Sequence, residues 1–164
     1  EKPHHIEILG LWEKPETAGG HSMGWRTPVH ELKQTIIDAC DKFTVVEIAA
    51  DVWRLEETLA SLAEMGLPVV EFSTNSTQRM TQATQNAYDQ IISGELSHTG
   101  DPALTRHFNN AVLREDPKRG SRLTKERRGS SKKIDAAIAS IIALHRATFY
   151  QEEAAPPEAQ LLVL

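Results

Sequence analysis

The sequence contains a single cysteine, Cys40. One thiol cannot close an intrachain disulfide or supply a multi-cysteine zinc site, and the shortage suits a reducing cytosol. Long apolar runs are also missing. Nothing approaches the ~20 residues of a membrane span, and no signal-peptide pattern opens the chain. No GxxxxGKS or GxxxxGKT loop occurs, which excludes a P-loop nucleotide site, and no HExxH pattern is present. His98 and His107 lack the i, i+4 spacing of a helical zinc pair, so His98 reads as a turn or core-edge residue. No Ser/His/Asp arrangement and no internal repeat stands out. Aromatics make up only 5% of the residues. Stacking on nucleobases would therefore rest on Trp12, Trp25 and Trp53, although scattered tryptophans also serve as packing anchors.

What remains is a chain of 164 residues, long enough for one domain with a real core. Its 40% hydrophobic and 25% charged content is that of a globular protein. It opens on Glu1 and not Met, as expected of a fragment or a processed product. The formal net charge of −5 conceals an asymmetry. Lys118, Arg119, Arg122, Lys125, Arg127, Arg128, Lys132 and Lys133 fall within residues 117–133, against one acid, Glu126. A basic segment on an acidic protein points to a polyanion met at one place, and a solvated loop is the plainer alternative.

Hydrophobic periodicity places the elements. Residues 5–12 alternate as a strand does, with Ile6 and Ile8 on one face. Pro15, Gly19, Gly20 and Gly24 mark a loop. Thr27-Pro28 then opens a helix bearing Leu32, Ile36, Ile37 and Cys40. Thr44 to Ala50 reads as a mostly buried strand ending at Asp51. A helix follows from about Arg54 to Met65, with Leu55, Leu59 and Leu62 at i, i+4 and i+7, and Gly66 stops it. Leu67 to Phe72 reads as another strand. The alternation of helix and strand predicts parallel strands joined by crossover helices. Ser73 to Ser76 supply caps for a helix over Thr77 to Ser93, its inner face formed by Met80, Ala83, Ala87, Tyr88 and Ile91, with Gly94 at its end. A turn at His98 to Pro102, a short helix from Ala103 to Asn109 and a strand from Ala111 to Glu115 lead into the basic segment, a hairpin or loop around Gly120. Ser130 or Ser131 caps a last helix from Ile134 to about Tyr150. Residues 1–150 thus form the domain and residues 151–164, with Pro156-Pro157, a tail.

Two acids are candidates for chemistry. Asp51 stands beyond the carboxyl end of a strand, where ligands gather in open α/β sheets. Capping the next helix is the plainer alternative. Asp135 opens a strongly apolar helix, where the helix dipole favours a carboxylate by about 0.3–1 kcal/mol whatever its function. Mg²⁺ and Mn²⁺ prefer such hard oxygen ligands, and a metal pair can support phosphodiester hydrolysis. Spacing alone does not bring the two acids together.

Five segments occur in an order that resembles a known family: 24–28 (Gly-Trp-Arg-Thr-Pro), 46–53 (Val-Glu-Ile-Ala-Ala-Asp-Val-Trp), 94–102 (Gly-Glu-Leu-Ser-His-Thr-Gly-Asp-Pro), 106–110 (Arg-His-Phe-Asn-Asn) and 133–139 (Lys-Ile-Asp-Ala-Ala-Ile-Ala). Across residues 6 to 147 the chain resembles the C-terminal nuclease domain of tailed-bacteriophage terminase large subunits of the actinobacterial phage and prophage type. The resemblance implies an α/β, ribonuclease-H-like mixed sheet flanked by helices. It implies a metal-dependent endonuclease that cuts concatemeric double-stranded DNA during packaging, with Asp51 and Asp135 as Mg²⁺ or Mn²⁺ ligands and the basic segment against the DNA backbone. The implied partners are double-stranded DNA, the ATPase motor domain, the small terminase subunit and the portal, at the procapsid in the host cytoplasm.

The family's first metal-binding Asp lies on a strand before residue 5, and this sequence offers no counterpart. An N-terminally truncated domain, lacking its first strand or strands and one metal ligand, is therefore expected to be inactive alone and to associate through an unpaired strand edge. The alternatives are a non-catalytic DNA-binding or assembly module and another ribonuclease-H-like nuclease such as a resolvase core. The run 98–102 (His-Thr-Gly-Asp-Pro) favours a terminase over the latter.

Overall fold

A computed structural model of the chain describes residues 4–15 and 24–154. Gly19, Gly20 and the expected tail from residue 155 onward lie outside the described residues. The chain divides into two compact units, Glu7–Ser73 and Glu1–Ile6 with Thr74–Leu164.

In the first unit, helix α1 spans Val29–Lys42. Pro28 occupies its N-cap and no side chain caps it, so Thr27 lies one residue too far out for the role expected of it. Leu32, Ile36, Ile37 and Cys40 are half-buried. Strand β2 (Ile48–Ala50) pairs in parallel with β3 (Val69–Glu71), Ile48 opposite Val69 and Ala50 opposite Glu71. The parallel crossover expected from the sequence is present, through helix α2 (Glu56–Glu64). Both strands are shorter than their apolar runs. Pro68 has no N–H to extend the ladder on one side, and at Asp51 the chain leaves the strand for a 3₁₀ turn, Val52–Arg54. Val46, expected in a buried strand, is exposed. Leu59 and Leu62 are buried on α2, and the positive φ of Gly66, +81°, turns the chain away after the helix.

In the second unit, β1 (His4–Ile6) pairs in parallel with β4 (Leu96–His98). The strand expected over residues 5–12 stops at Ile6 because its partner is three residues long. Past Ile6 the chain enters the first unit, where the Trp12 ring covers Gly10 and a Cβ would stand 2.6 Å from Cη2. The Trp12 Nε1–H donates to Glu31 Oε2 at 3.1 Å.

Helix α3 (Thr77–Ser93) has the bounds its sequence predicts. The Ser76 hydroxyl accepts from the Arg79 N–H, and Gly94 takes a left-handed φ of +74°. Its buried face is Met80, Ala83, Thr84, Ala87 and Gln90. Tyr88 and Ile91, expected inside, are exposed. Gln90 occupies the inner position because its amide donates to Thr148 Oγ1 at 2.9 Å. Thr148 lies on helix α5 (Asp135–Ala154), which packs on α3. Helix α4 (Pro102–Asn110) leads directly into a hairpin of β5 (Ala111–Asp116) and β6 (Gly120–Lys125), antiparallel, with Gly120 at φ +86°.

Two expectations for α5 change. Ser130 does not cap it: the Ser130 hydroxyl accepts from the Lys132 N–H at 3.3 Å. The helix also runs on through Gln151, where the sequence placed the start of a tail, to Ala154. Among the described residues the strands form three two-stranded ladders, two parallel and one antiparallel, and no continuous mixed sheet.

Thr84 joins α3 to the hairpin. Its buried hydroxyl donates to the Met80 carbonyl at 2.7 Å and accepts from the Leu123 N–H at 3.0 Å. Thr84→Val keeps the shape and strands that amide, so unfolding in urea should show a loss of about 1–3 kcal/mol. A change within error would mean that the Leu123 amide finds water.

His145 on α5 gives a pH dependence. Burial first, and the Arg146 charge second, push its pKa below the usual 6.5. The unfolded chain then binds more protons than the folded one, so this stabilisation is present above about pH 6.5 and declines as pH falls through and below it. Urea midpoints between about pH 5 and 7.5 should fall with acidification, and less steeply in His145→Gln. An unchanged slope in that variant would remove His145 as the cause.

Candidate functional site

The site begins with α4. Asp101 caps it, one carboxylate oxygen accepting from the Ala103 and Leu104 N–H groups at 2.7 and 2.9 Å, and Pro102 supplies the first turn. The face of α4 turned to α5 carries Leu104, His107 and Asn110. His107 is fully buried, and its Nδ1 accepts from the Ala136 N–H at 2.8 Å. The Asn110 side-chain amide donates to the Lys133 carbonyl at 2.9 Å. Between those two anchor points lies Asp135, the first residue of α5. Its neighbours Ile134 and Ala136 are buried, whereas Asp135 is exposed. Its carboxylate has no hydrogen bond or ion pair with another described residue, and it stands at the positive end of a long helix.

Asp51 lies in the other unit, immediately after β2. It is half-buried, and its Oδ1 accepts from the Trp53 N–H at 3.2 Å, capping the 3₁₀ turn and not α2. The capping alternative is thus realised, on a different element. Trp53 beside it is 74% exposed, which leaves its indole face open, whereas Trp12 is half-buried and hydrogen-bonded.

The two acids are therefore in separate units. Among the described residues no three of His, Cys, Asp and Glu gather closely enough to hold a metal. The donors fit Mg²⁺ or Mn²⁺ in kind, being hard carboxylate oxygens. They also suit ions that keep several waters and use one or two carboxylates.

The basic segment is divided in its commitments. Lys118 and Arg119 form the exposed tip of the hairpin, held by Asp116, which accepts from the Lys118 N–H through Oδ1 at 2.9 Å and from the Arg119 N–H through its carbonyl at 3.1 Å. Arg127 and Arg128 are exposed in the loop after β6. Arg122 and Lys125 are half-buried, bonded to Thr77 Oγ1 and the Ser130 carbonyl at 3.3 Å each. Lys132 pairs with Glu126 at 2.9 Å, and that hydrogen bond, with the Lys132 charge, holds the Glu126 carboxyl below its usual range. Lys133 is half-buried at the entry to α5.

Sequence reasoning missed Arg114, His107 and Asn110. Arg114 lies directly opposite Arg122 across the hairpin. Like charges so placed repel, as would suit an anionic partner, but Arg114 precedes the charge run and escaped it. His107 and Asn110 carry no metal-ligand spacing, and their roles come from contacts with a distant helix. Their signal was their place in the 106–110 segment.

The endonuclease-domain model of the terminase large subunit matches residues 22–151. The gene 13 protein of Mycobacterium phage D29 is 25% identical over 147 residues, which cover 83% of this chain and 24% of that protein. Among solved structures, the HK97 bacteriophage large terminase is similar with a TM-score of 0.63 and 23% identity, over 73% of this chain and 25% of that one. The large terminase nuclease from thermophilic phage G20c, solved with bound magnesium, is similar with a TM-score of 0.55 and 13% identity, over 73% of this chain and 61% of that one. These likenesses establish a shared α/β, ribonuclease-H-like fold. The chain spans about a quarter of the length of the phage D29 and HK97 proteins. The chain belongs to the endonuclease-domain family of terminase large subunits.

Proposed function

We propose that this chain is the DNA-cutting module of a phage packaging terminase, acting on concatemeric double-stranded DNA by metal-dependent phosphodiester hydrolysis. The observation that carries the reading is Asp135: an exposed carboxylate between buried neighbours, at the start of a rigid helix and just after a basic hairpin. Asp135 would be a ligand for Mg²⁺ or Mn²⁺, and Asp51 is the second candidate ligand of the same kind. The cation, when bound, would polarise the phosphoryl oxygen and lower the pKa of the attacking water. The chain's own residues supply the rest. Lys118, Arg119, Arg127 and Arg128 would meet the DNA backbone, with Arg114, Arg122, Lys125, Lys132 and Lys133 extending the positive field behind them. Further partners of the reading are the ATPase motor, the small subunit and the portal, at the procapsid in the host cytoplasm. No described helix is long and apolar enough to cross a membrane.

A second reading, a DNA-binding or assembly module without catalysis, is favoured by one observation: Asp51 already has a structural use as a cap. Asp51→Asn separates the two, because Asn caps as well as Asp but is a poor ligand for a hard cation. In the intact large subunit, supplied with plasmid and Mn²⁺, Asp135→Ala and Asp51→Asn should each slow cleavage about 100-fold or more, the loss of several kcal/mol of transition-state stabilisation. Wild-type cleavage by both variants would leave the second reading. The 164-residue chain by itself, assayed in the same way, tests whether Asp51 and Asp135 are enough. Clear Mn²⁺-dependent nicking by it, lost on Asp135→Ala, would show that these acids suffice.

DNA binding is tested through salt. Binding of the chain to a duplex oligonucleotide, followed by fluorescence anisotropy, should weaken steeply with added NaCl. Replacing Lys118 and Arg119 by Ala should lower the slope of log K against log salt by about 2. An unaltered slope would remove the hairpin tip from the interface.

A further inference from the structure

The first amides of a helix need acceptors from outside the helix. A Ser, Thr, Asp or Asn just before the helix usually provides one. The residue before α5 is Ile134, which has no polar side chain, and Ser130 is engaged with Lys132. The acceptor for the Ala136 N–H comes instead from His107, 29 residues earlier on another helix. An Nδ1 that accepts from an amide carries no proton, so the ring is the neutral tautomer with its hydrogen on Nε2. Asn110, three residues further along α4 and on the same face, donates to the Lys133 carbonyl.

These two bonds fall on either side of Asp135. One holds the backbone two residues before it, and the other the backbone one residue after it. The direction of its Cα–Cβ bond is thereby tied to α4, whose first turn Asp101 caps. A serine at position 134 could cap the helix without this tie. The cross-helix arrangement adds a fixed orientation relative to the core.

We propose that His107 and Asn110 are positioning residues for Asp135, bracketing its backbone so that the carboxylate is presented to a divalent cation in one orientation. The proposal rests on the reading of Asp135 as a metal ligand. Neither residue touches the cation. Both act through the backbone of residues 133–136, as the supporting partners of ligand residues do in metal sites.

The test is Mn²⁺ binding by the full chain, followed by electron paramagnetic resonance of free Mn²⁺, with melting temperature confirming that each variant is folded. Asp135→Asn should abolish the bound fraction. His107→Leu, which keeps apolar volume and removes the acceptor, and Asn110→Ala, at a half-buried and more tolerant position, should each weaken binding about 10- to 100-fold. His107→Asn places an amide oxygen where Nδ1 stood and should restore binding close to wild type. If Asp135→Asn loses Mn²⁺ while folded His107→Leu and Asn110→Ala keep it, or if His107→Asn binds as weakly as His107→Leu, the bracket has no role in positioning. If Asp135→Asn itself binds as tightly as wild type, the ligand assignment fails and the positioning role with it. The two failures are told apart by the Asp135→Asn arm.

Discussion

The Ala136 amide must find an acceptor, and a buried histidine on a neighbouring helix provides it. Much of the second unit is arranged around that requirement. It sets α4 against α5, keeps Leu104, Ala136 and Ala137 out of water, and leaves the intervening Asp135 side chain outside. Helix α4 leads, through Ala111, straight into the hairpin that carries the basic segment. Where the hairpin and α5 can sit thus follows from how α4 is capped and what it grips. Thr84 and Gln90 complete the frame by tying α3 to β6 and to α5, with each bond satisfying a group that would otherwise be costly to bury.

Charge is distributed in two roles along one short stretch. Arg122, Lys125 and Lys132 spend their donors on Thr77, Ser130 and Glu126, and hold the hairpin and the loop after it in shape. Lys118, Arg119, Arg127 and Arg128 project from that support. The run of basic residues is therefore not uniform: part of it is committed to structure and part is exposed. Placing Arg114 opposite Arg122 adds repulsion that an isolated protein gains nothing from, and a polyanion would relieve it.

Elements whose signals are local were legible in the sequence. Helix α3 lies between a serine cap and a glycine that accepts positive φ, and its bounds match. The hairpin turns just before Gly120. Strand lengths were overestimated at residues 5–12, 44–50 and 67–72, because a ladder ends where its partner ends, and partners are long-range information. The start of α5 shows the same limit: a nearby serine was the reasonable local candidate, and the acceptor came from 29 residues away. For the candidate site, the positions of Asp51 and Asp135 at a strand end and a helix start could be read directly. Their chemistry depends on what surrounds them, and the support given by His107 and Asn110 left only a segment-level trace. The family could be recognised from short motifs in a fixed order, although overall identity to a phage relative is only 25%.

The proposed cleavage and its support both require Asp135 to be a ligand for a divalent cation. That role is tested most directly by anomalous diffraction from crystals of the chain grown with Mn²⁺. An anomalous peak is expected about 2.1 Å from an Asp135 carboxylate oxygen. Crystals at saturating Mn²⁺ with no peak at Asp135 would contradict that role.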